Sequence, residues 1–175
     1  AAHAHGSAYQ GRKCGSLGQL ASFSFQASKN MTAGEGGIIT TNDAALAEMC
    51  ETLVWAGRKP GQPWYRHHVL ASNARLTEFQ GAILLVQLER LEEQMARRMH
   101  NGQLLNALLA DIEGVAPLVI RPTTTRHAFH LYILRYHPEA FAGLSKQRFV
   151  QALQAEGISG AFGGYTTPLW AGPSP

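Results

Sequence analysis

Lys29 is the residue whose surroundings point most directly to chemistry. It lies in the stretch Phe23-Ser24-Phe25-Gln26-Ala27-Ser28-Lys29-Asn30-Met31-Thr32-Ala33-Gly34-Glu35-Gly36-Gly37. A short alternating strand, Ala21 to Phe25, leads into it. A glycine-rich turn then separates it from the β-branched run Ile38-Ile39-Thr40-Thr41. A lysine held in a partly dry pocket sheds its proton more readily, and the free amine attacks a carbonyl carbon to form a Schiff base. The competing reading is a solvated surface charge, the commonest fate of a lysine near a turn. Ser24 precedes Lys29 by five residues, and on a strand it faces away from Phe23 and Phe25. Its hydroxyl is either a donor to a ligand or is satisfied by its own backbone.

The eight histidines add little on spacing alone. His3 and His5 read as surface residues, and His127 and His130 as structural ones, the latter on a strand facing core or interface. None of these, nor His67-His68, has cysteine or carboxylate companions at ligand spacing, so no metal site is expected. Asn73 reads as a turn residue before a helix. Arg75 reads as a brace for that loop, and Glu35 either as an ion-pair partner or as a turn residue among glycines.

Several elements must position these groups. Asn42 suits the N-cap of a helix over Asp43 to Ala56, with Leu46, Met49, Leu53 and Val54 as its apolar stripe and Gly57 as its stop. Residues 58–72 form a long loop, the kind that often carries function. From about Leu76 the pattern is helical for some three dozen residues. Thr77 and Gln80 have capping-box spacing, and Phe79, Ile83, Val86 and Leu91 recur along one face. Such length predicts a break near the middle. A second character begins near residues 112–118. His127 to Tyr136 alternates like a strand, Ser145 caps a helix with Phe149 and Leu153 inward, and Gly157 ends it before a short strand near Ile158.

The bulk properties describe an ordinary globular chain of 175 residues, 45% hydrophobic and 15% charged, with a formal net charge of +3. Positive residues are scattered, so nucleic acid is not an expected partner. No apolar run approaches the roughly 18 residues of a membrane span. Cys14 and Cys50 are too few for a disulfide framework and fit reduced thiols in the cytoplasm. The opening Ala1-Ala2-His3 is no secretory signal and reads as a chain entered mid-domain.

The segment from Phe23 to Asp43 resembles the lysine segment of the DegT/DnrJ/StrS aminotransferases, pyridoxal-phosphate (PLP) enzymes of the aspartate-aminotransferase fold. Three further stretches are similar to that family's motifs in the same order. Ala1-Ala2-His3-Ala4-His5-Gly6 matches the end of its cofactor segment, Ser72 to Gln80 its N-Y-R-(M/L)-(S/T)-E element, and His127 to Tyr132 its H-A-(Y/F)-H-L-Y strand.

The resemblance implies an α/β fold. Residues 1–112 would be the C-terminal part of the PLP-binding large domain, with a long interdomain helical segment, and residues 113–175 a small α+β domain. It implies that Lys29 forms the Schiff base and shuttles the proton. A family branch with histidine at that position dehydrates its substrate, so lysine favours transamination. Ser24 and Asn73 would bind the cofactor phosphate, Asn73 across the interface of a homodimer with a shared active site. His3 would contact the pyridine ring, and Tyr165 would approach substrate. The donor would be glutamate or glutamine, and the acceptor a keto-sugar (often nucleotide-linked), a cyclitol or a related ketone. The acid that pairs with the pyridine nitrogen would fall immediately before Ala1, and Ala74 stands where the family usually has an aromatic residue. A non-catalytic remnant serving as an interaction module is therefore the rival reading.

Overall fold

The computed structural model describes residues 1–164. It is a mixture of helix and short antiparallel strands, every sheet two-stranded among the described residues. Two compact units divide it. The first comprises Ala1–Leu105 with Val119–Tyr132, and the second Asn106–Leu118 with the chain from Ile133 onward.

The first unit opens with the hairpin β1 (Ala8–Tyr9) and β2 (Arg12–Lys13). Its two-residue turn, Gln10-Gly11, has φ of 48° and 75°, the doubly left-handed geometry that suits the twist of a tight hairpin. A second antiparallel ribbon joins β3 (Ala21–Ser24) to β4 (Gly37–Thr40), with Ser24 opposite Gly37. Helix α1 (Ala44–Val54) follows. Asp43 rather than Asn42 caps it, its carboxylate accepting the N–H groups of Ala45 and Leu46. A carboxylate also suits the positive end of the helix dipole. Of the stripe expected on α1, Met49 and Leu53 are exposed, and the buried residue is Thr52, whose hydroxyl donates to the Glu48 carbonyl.

Helix α2 (Glu78–Leu109) runs unbroken for 32 residues, where a break was expected. No proline interrupts it. Thr77 and Gln80 make both halves of the capping box: the Gln80 N–H donates to Thr77 Oγ1, and the Thr77 N–H to Gln80 Oε1. Leu84, Leu91 and Met95 of α2 form the core with Phe25, Met31 and Ala128. Phe79, Ile83 and Val86, which recur at helical intervals with Leu91, are exposed.

In the second unit β5 (Val115–Pro117) pairs antiparallel with β6 (Leu134–Tyr136). Helix α3 (Lys146–Ala155) is capped by Ser145, as expected. Phe149 stacks on Tyr136 at 4.4 Å between ring centroids. The expected strand over residues 127–136 is reduced to its last three residues, because Phe129 takes a left-handed backbone (φ 40°) that breaks the extended run. Residues near Ile158 form a turn, not a strand. No helix among the described residues is long and apolar enough to cross a membrane.

Candidate active site

Lys29 is placed by a loop that ties itself to the end of β3. The Phe25 N–H donates to the Gly36 carbonyl, and the Phe25 carbonyl accepts from the Ala33 N–H and the Thr32 hydroxyl. Within that loop the Lys29 N–H closes a turn onto the Gln26 carbonyl, while Gln26 Oε1 accepts both the N–H and the hydroxyl of Ser28. Buried Phe25 and Met31 pin the two sides of the turn to the core. Gly36, at φ 129°, lies where a Cβ would strike the Leu76 side chain at 2.7 Å. The positive φ is the main reason glycine stands here, with the Leu76 methyl a second, more yielding obstacle.

The half-buried Lys29 side chain reaches His3, with Nζ 2.9 Å from His3 Nε2. A lysine ammonium has only donors, so the imidazole nitrogen accepts. The His3 ring in turn lies 4.2 Å, centroid to centroid, from the ring of His130 at a tilt of 34°. His130 is thus part of this cluster and not a strand residue of the core, since the bend at Phe129 turns it toward His3.

His5 is not a surface residue. It is 4% exposed and packs against Phe23 and Phe25, whose rings share one face of the β3 run as strand alternation requires. Neither of its ring nitrogens has a partner within hydrogen-bond geometry among the described residues. Burial holds its pKa below the ordinary 6.5. The Ser24 backbone is the next-largest influence and works the other way, and the nearby Lys29 and His3 add to the lowering. Burial likewise lowers the pKa of His130, helped by His3, Lys29, Arg98 and His5. Lys29, His3, Arg98 and the N-terminus, the charged groups that act on these two rings, are cations or potential cations.

Ser24 ends β3, its Oγ accepting the Gln26 N–H at 3.3 Å, which leaves the hydroxyl proton to donate elsewhere. Asn73 is held by other partners. It bridges the backbone of Trp55, and its Oδ1 accepts the Arg75 N–H. The Arg75 guanidinium lies 5.2 Å from the Trp55 ring, the bracing role expected of it. Glu35 enters through its backbone carbonyl, which accepts from Gln80 Nε2. Tyr165 falls outside the described residues. A groove of about 930 Å³ between the β3–β4 ribbon, α1 and the 74–80 segment is lined by Ile39, Cys50, Val54 and Leu76 among others, and does not include Lys29. Chemistry, not volume, therefore selects the Lys29 cluster.

A further residue beside the site carried no signal in the sequence. Asn30, 6% exposed, donates from Nδ2 to the carbonyl of buried Ala128 at 2.9 Å. It ties the lysine turn to the segment that carries His130, a pairing across 98 positions that no local pattern reveals.

The donor set fits an anionic aldehyde cofactor. The Lys29 amine and the imidazoles of His3, His5 and His130 share one neighbourhood, and Ser24, with a hydroxyl proton to give, ends the strand that leads into the lysine turn.

The sequence profile of the DegT/DnrJ/EryC1/StrS aminotransferase family matches residues 1–175. An L-glutamine:2-deoxy-scyllo-inosose aminotransferase of Streptoalloteichus tenebrarius is 41% identical over 164 residues, covering 89% of this chain and 38% of that protein. A 3-amino-5-hydroxybenzoate synthase of Amycolatopsis mediterranei is 39% identical over 151 residues, covering 85% and 37%. The crystal structure of a 3-amino-5-hydroxybenzoic acid synthase superposes with a TM-score of 0.79 at 36% identity, covering 90% of this chain and 41% of the other. The chain thus spans less than half the length of each.

Proposed function

We propose, from the premise that this chain belongs to the DegT/DnrJ/EryC1/StrS aminotransferase family, that the protein carrying it moves an amino group from glutamine or glutamate to a cyclic polyhydroxy ketone. PLP is the implied cofactor. When bound, it supplies an aldehyde for an amine and a conjugated ring that takes up electron density from the reacting carbon. The observation that carries the reading is the Lys29 amine held 2.9 Å from an imidazole at the end of a serine-bearing strand.

Each residue then has work to do. Lys29 Nζ would hold the cofactor by its aldehyde, and the same amine, at a position already fixed by the turn, would give and take the substrate proton. Ser24 Oγ donates to the phosphate, where a charge-assisted bond is about twice as strong as a neutral one. His3 holds the amine and offers its ring to the pyridine. Asn73 serves the phosphate of a second protomer, which makes the working unit a homodimer with shared sites. Tyr165 approaches the acceptor. The large-domain portion ends near residue 112 and a small C-terminal domain follows. A cytoplasmic location suits both the cofactor and the free thiols of Cys14 and Cys50.

Carbocyclic acceptors are favoured over nucleotide-linked sugars, because the relative from Streptoalloteichus tenebrarius is named for an inosose and for glutamine as donor. The test is to add PLP to the purified protein, record the visible absorbance, then supply L-glutamine followed by a panel of inososes and nucleotide keto-sugars. A band lost in Lys29→Ala, with amination of an inosose, is expected. Absence of any Lys29-dependent band would support the remnant reading instead.

A further inference from the structure

His130 has no assigned role, yet the structure devotes several contacts to its placement. On its N-terminal side Ala128, 4% exposed, is anchored by the Asn30 amide. The Phe129 ring covers Gly102 of α2 so closely that a Cβ there would come within 2.6 Å of the ring. The Phe129 carbonyl accepts from Arg98 Nη1 at 3.4 Å. Arg126, four residues earlier, is tied to Glu92 of the same helix at 2.7 Å. Three attachments to α2 and one to the lysine turn thus fix where residue 130 emerges.

Its ring is equally constrained. Nδ1 of His130 is fully buried with no hydrogen-bond partner among the described residues. A buried N–H without an acceptor costs more than a bare lone pair with no donor, so the proton sits on Nε2. A ring crowded by Lys29, His3, His5 and Arg98 is also an unfavourable place for another positive charge. What His130 presents to His3 is therefore an uncharged, planar face at 4.2 Å.

We propose that His130 is a positioning residue of this site, holding the His3 imidazole in the orientation whose Nε2 receives the Lys29 amine. Without that face, exposed His3 would be free to rotate away, and the Lys29 amine would lose its fixed direction. The role rests on the amine-transfer reading above, and it adds to that reading a residue that touches neither cofactor nor substrate.

The test uses the protein that carries this chain, with its histidine rings labelled with ¹⁵N, as wild type, His130→Ala and His130→Phe. Wild-type His3 should show a single Nδ1–H tautomer with an accepting Nε2. His130→Ala should lose that signature to an averaged ring, and His130→Phe, which restores a planar face, should keep it. In parallel, the rate at which borohydride fixes PLP on Lys29 should fall about tenfold in His130→Ala, the equivalent of one ordinary hydrogen bond. Should His130→Ala fail to fold, His130→Leu fills the volume without a flat face and must lose the signature that His130→Phe keeps. A His3 signal unchanged in the alanine or leucine variant overturns the assignment while leaving Lys29 chemistry standing. No PLP fixed on Lys29 in wild type, with the His3 signature responding as described, overturns the amine-transfer reading and the positioning role that rests on it.

Discussion

Asn30→Ala is the most informative single perturbation, because one amide joins the lysine turn to the segment carrying His130. Asn30 Nδ2 donates to the Ala128 carbonyl at 2.9 Å, with both residues buried. Removing the amide leaves a buried carbonyl without that donor, which costs about 1–3 kcal/mol. Truncation also leaves a small void beside Met31 and Ala128, so the total should approach about 2–4 kcal/mol. With a urea m-value of about 1–3 kcal/mol/M, the unfolding midpoint should fall by about 1–2 M at unchanged slope. Asn30→Asp should be worse at neutral pH, because it sets a carboxylate against a carbonyl oxygen in a dry place. Urea melts followed by circular dichroism measure both. The geometry also demands a second effect: PLP fixation on Lys29 should slow, because His130 is no longer held. A midpoint within about 0.2 M of wild type, at the same slope, would refute the claim that this bond carries the connection.

Other substitutions probe other parts of the account. Ser24→Ala should weaken PLP binding about tenfold or more with little change in stability, since a hydrogen bond to a charged group is worth about 1.5–3 kcal/mol; equilibrium absorbance titration measures it. Gly57→Ala places a Cβ on the Val69 carbonyl at a φ of 83°. It should cost at least about 1–2 kcal/mol and open the 58–69 loop to proteolysis. Acid should destabilise the fold through His5, whose folded-state pKa is held below 6.5 by burial. The unfolded chain then binds the extra proton, so stability is complete above about pH 6.5 and declines as pH falls toward the folded-state value. Urea midpoints from pH 7.5 to 5 should show this decline, and His5→Phe should reduce it, leaving the part due to His127 and His130, whose pKa values burial also lowers.

The parts of this fold legible in the sequence are those governed by local rules. The Thr77/Gln80 capping box and the Ser145 cap depend on spacing of three residues, and both formed as expected. Strand β3 was legible through its alternation, while its pairing with β4 was not read from the sequence. The errors have physical causes as well. Asp43 displaced Asn42 as a cap because either side chain can accept the same N–H groups and the charge is the better match to the dipole. Helix α2 stayed continuous because the length argument is statistical, whereas Leu84, Leu91 and Met95 hold its middle in the core. The His127–Tyr136 strand shortened because one left-handed residue, Phe129, packs on Gly102. Of the candidate site, Lys29 stood out by its type and setting, while Ser24 and His3 were singled out only through the family resemblance. Asn30, His5 and His130 did not stand out, since their roles depend on contacts with residues far along the chain or on burial that no local pattern encodes.

The central claim is that the amine of Lys29 takes the cofactor. Treating the PLP-loaded protein with borohydride, digesting it and sequencing the modified peptide by mass spectrometry tests this directly. The account predicts a single reduced PLP adduct on Lys29, absent from Lys29→Ala. An adduct on any other side chain, or none at all, would contradict it.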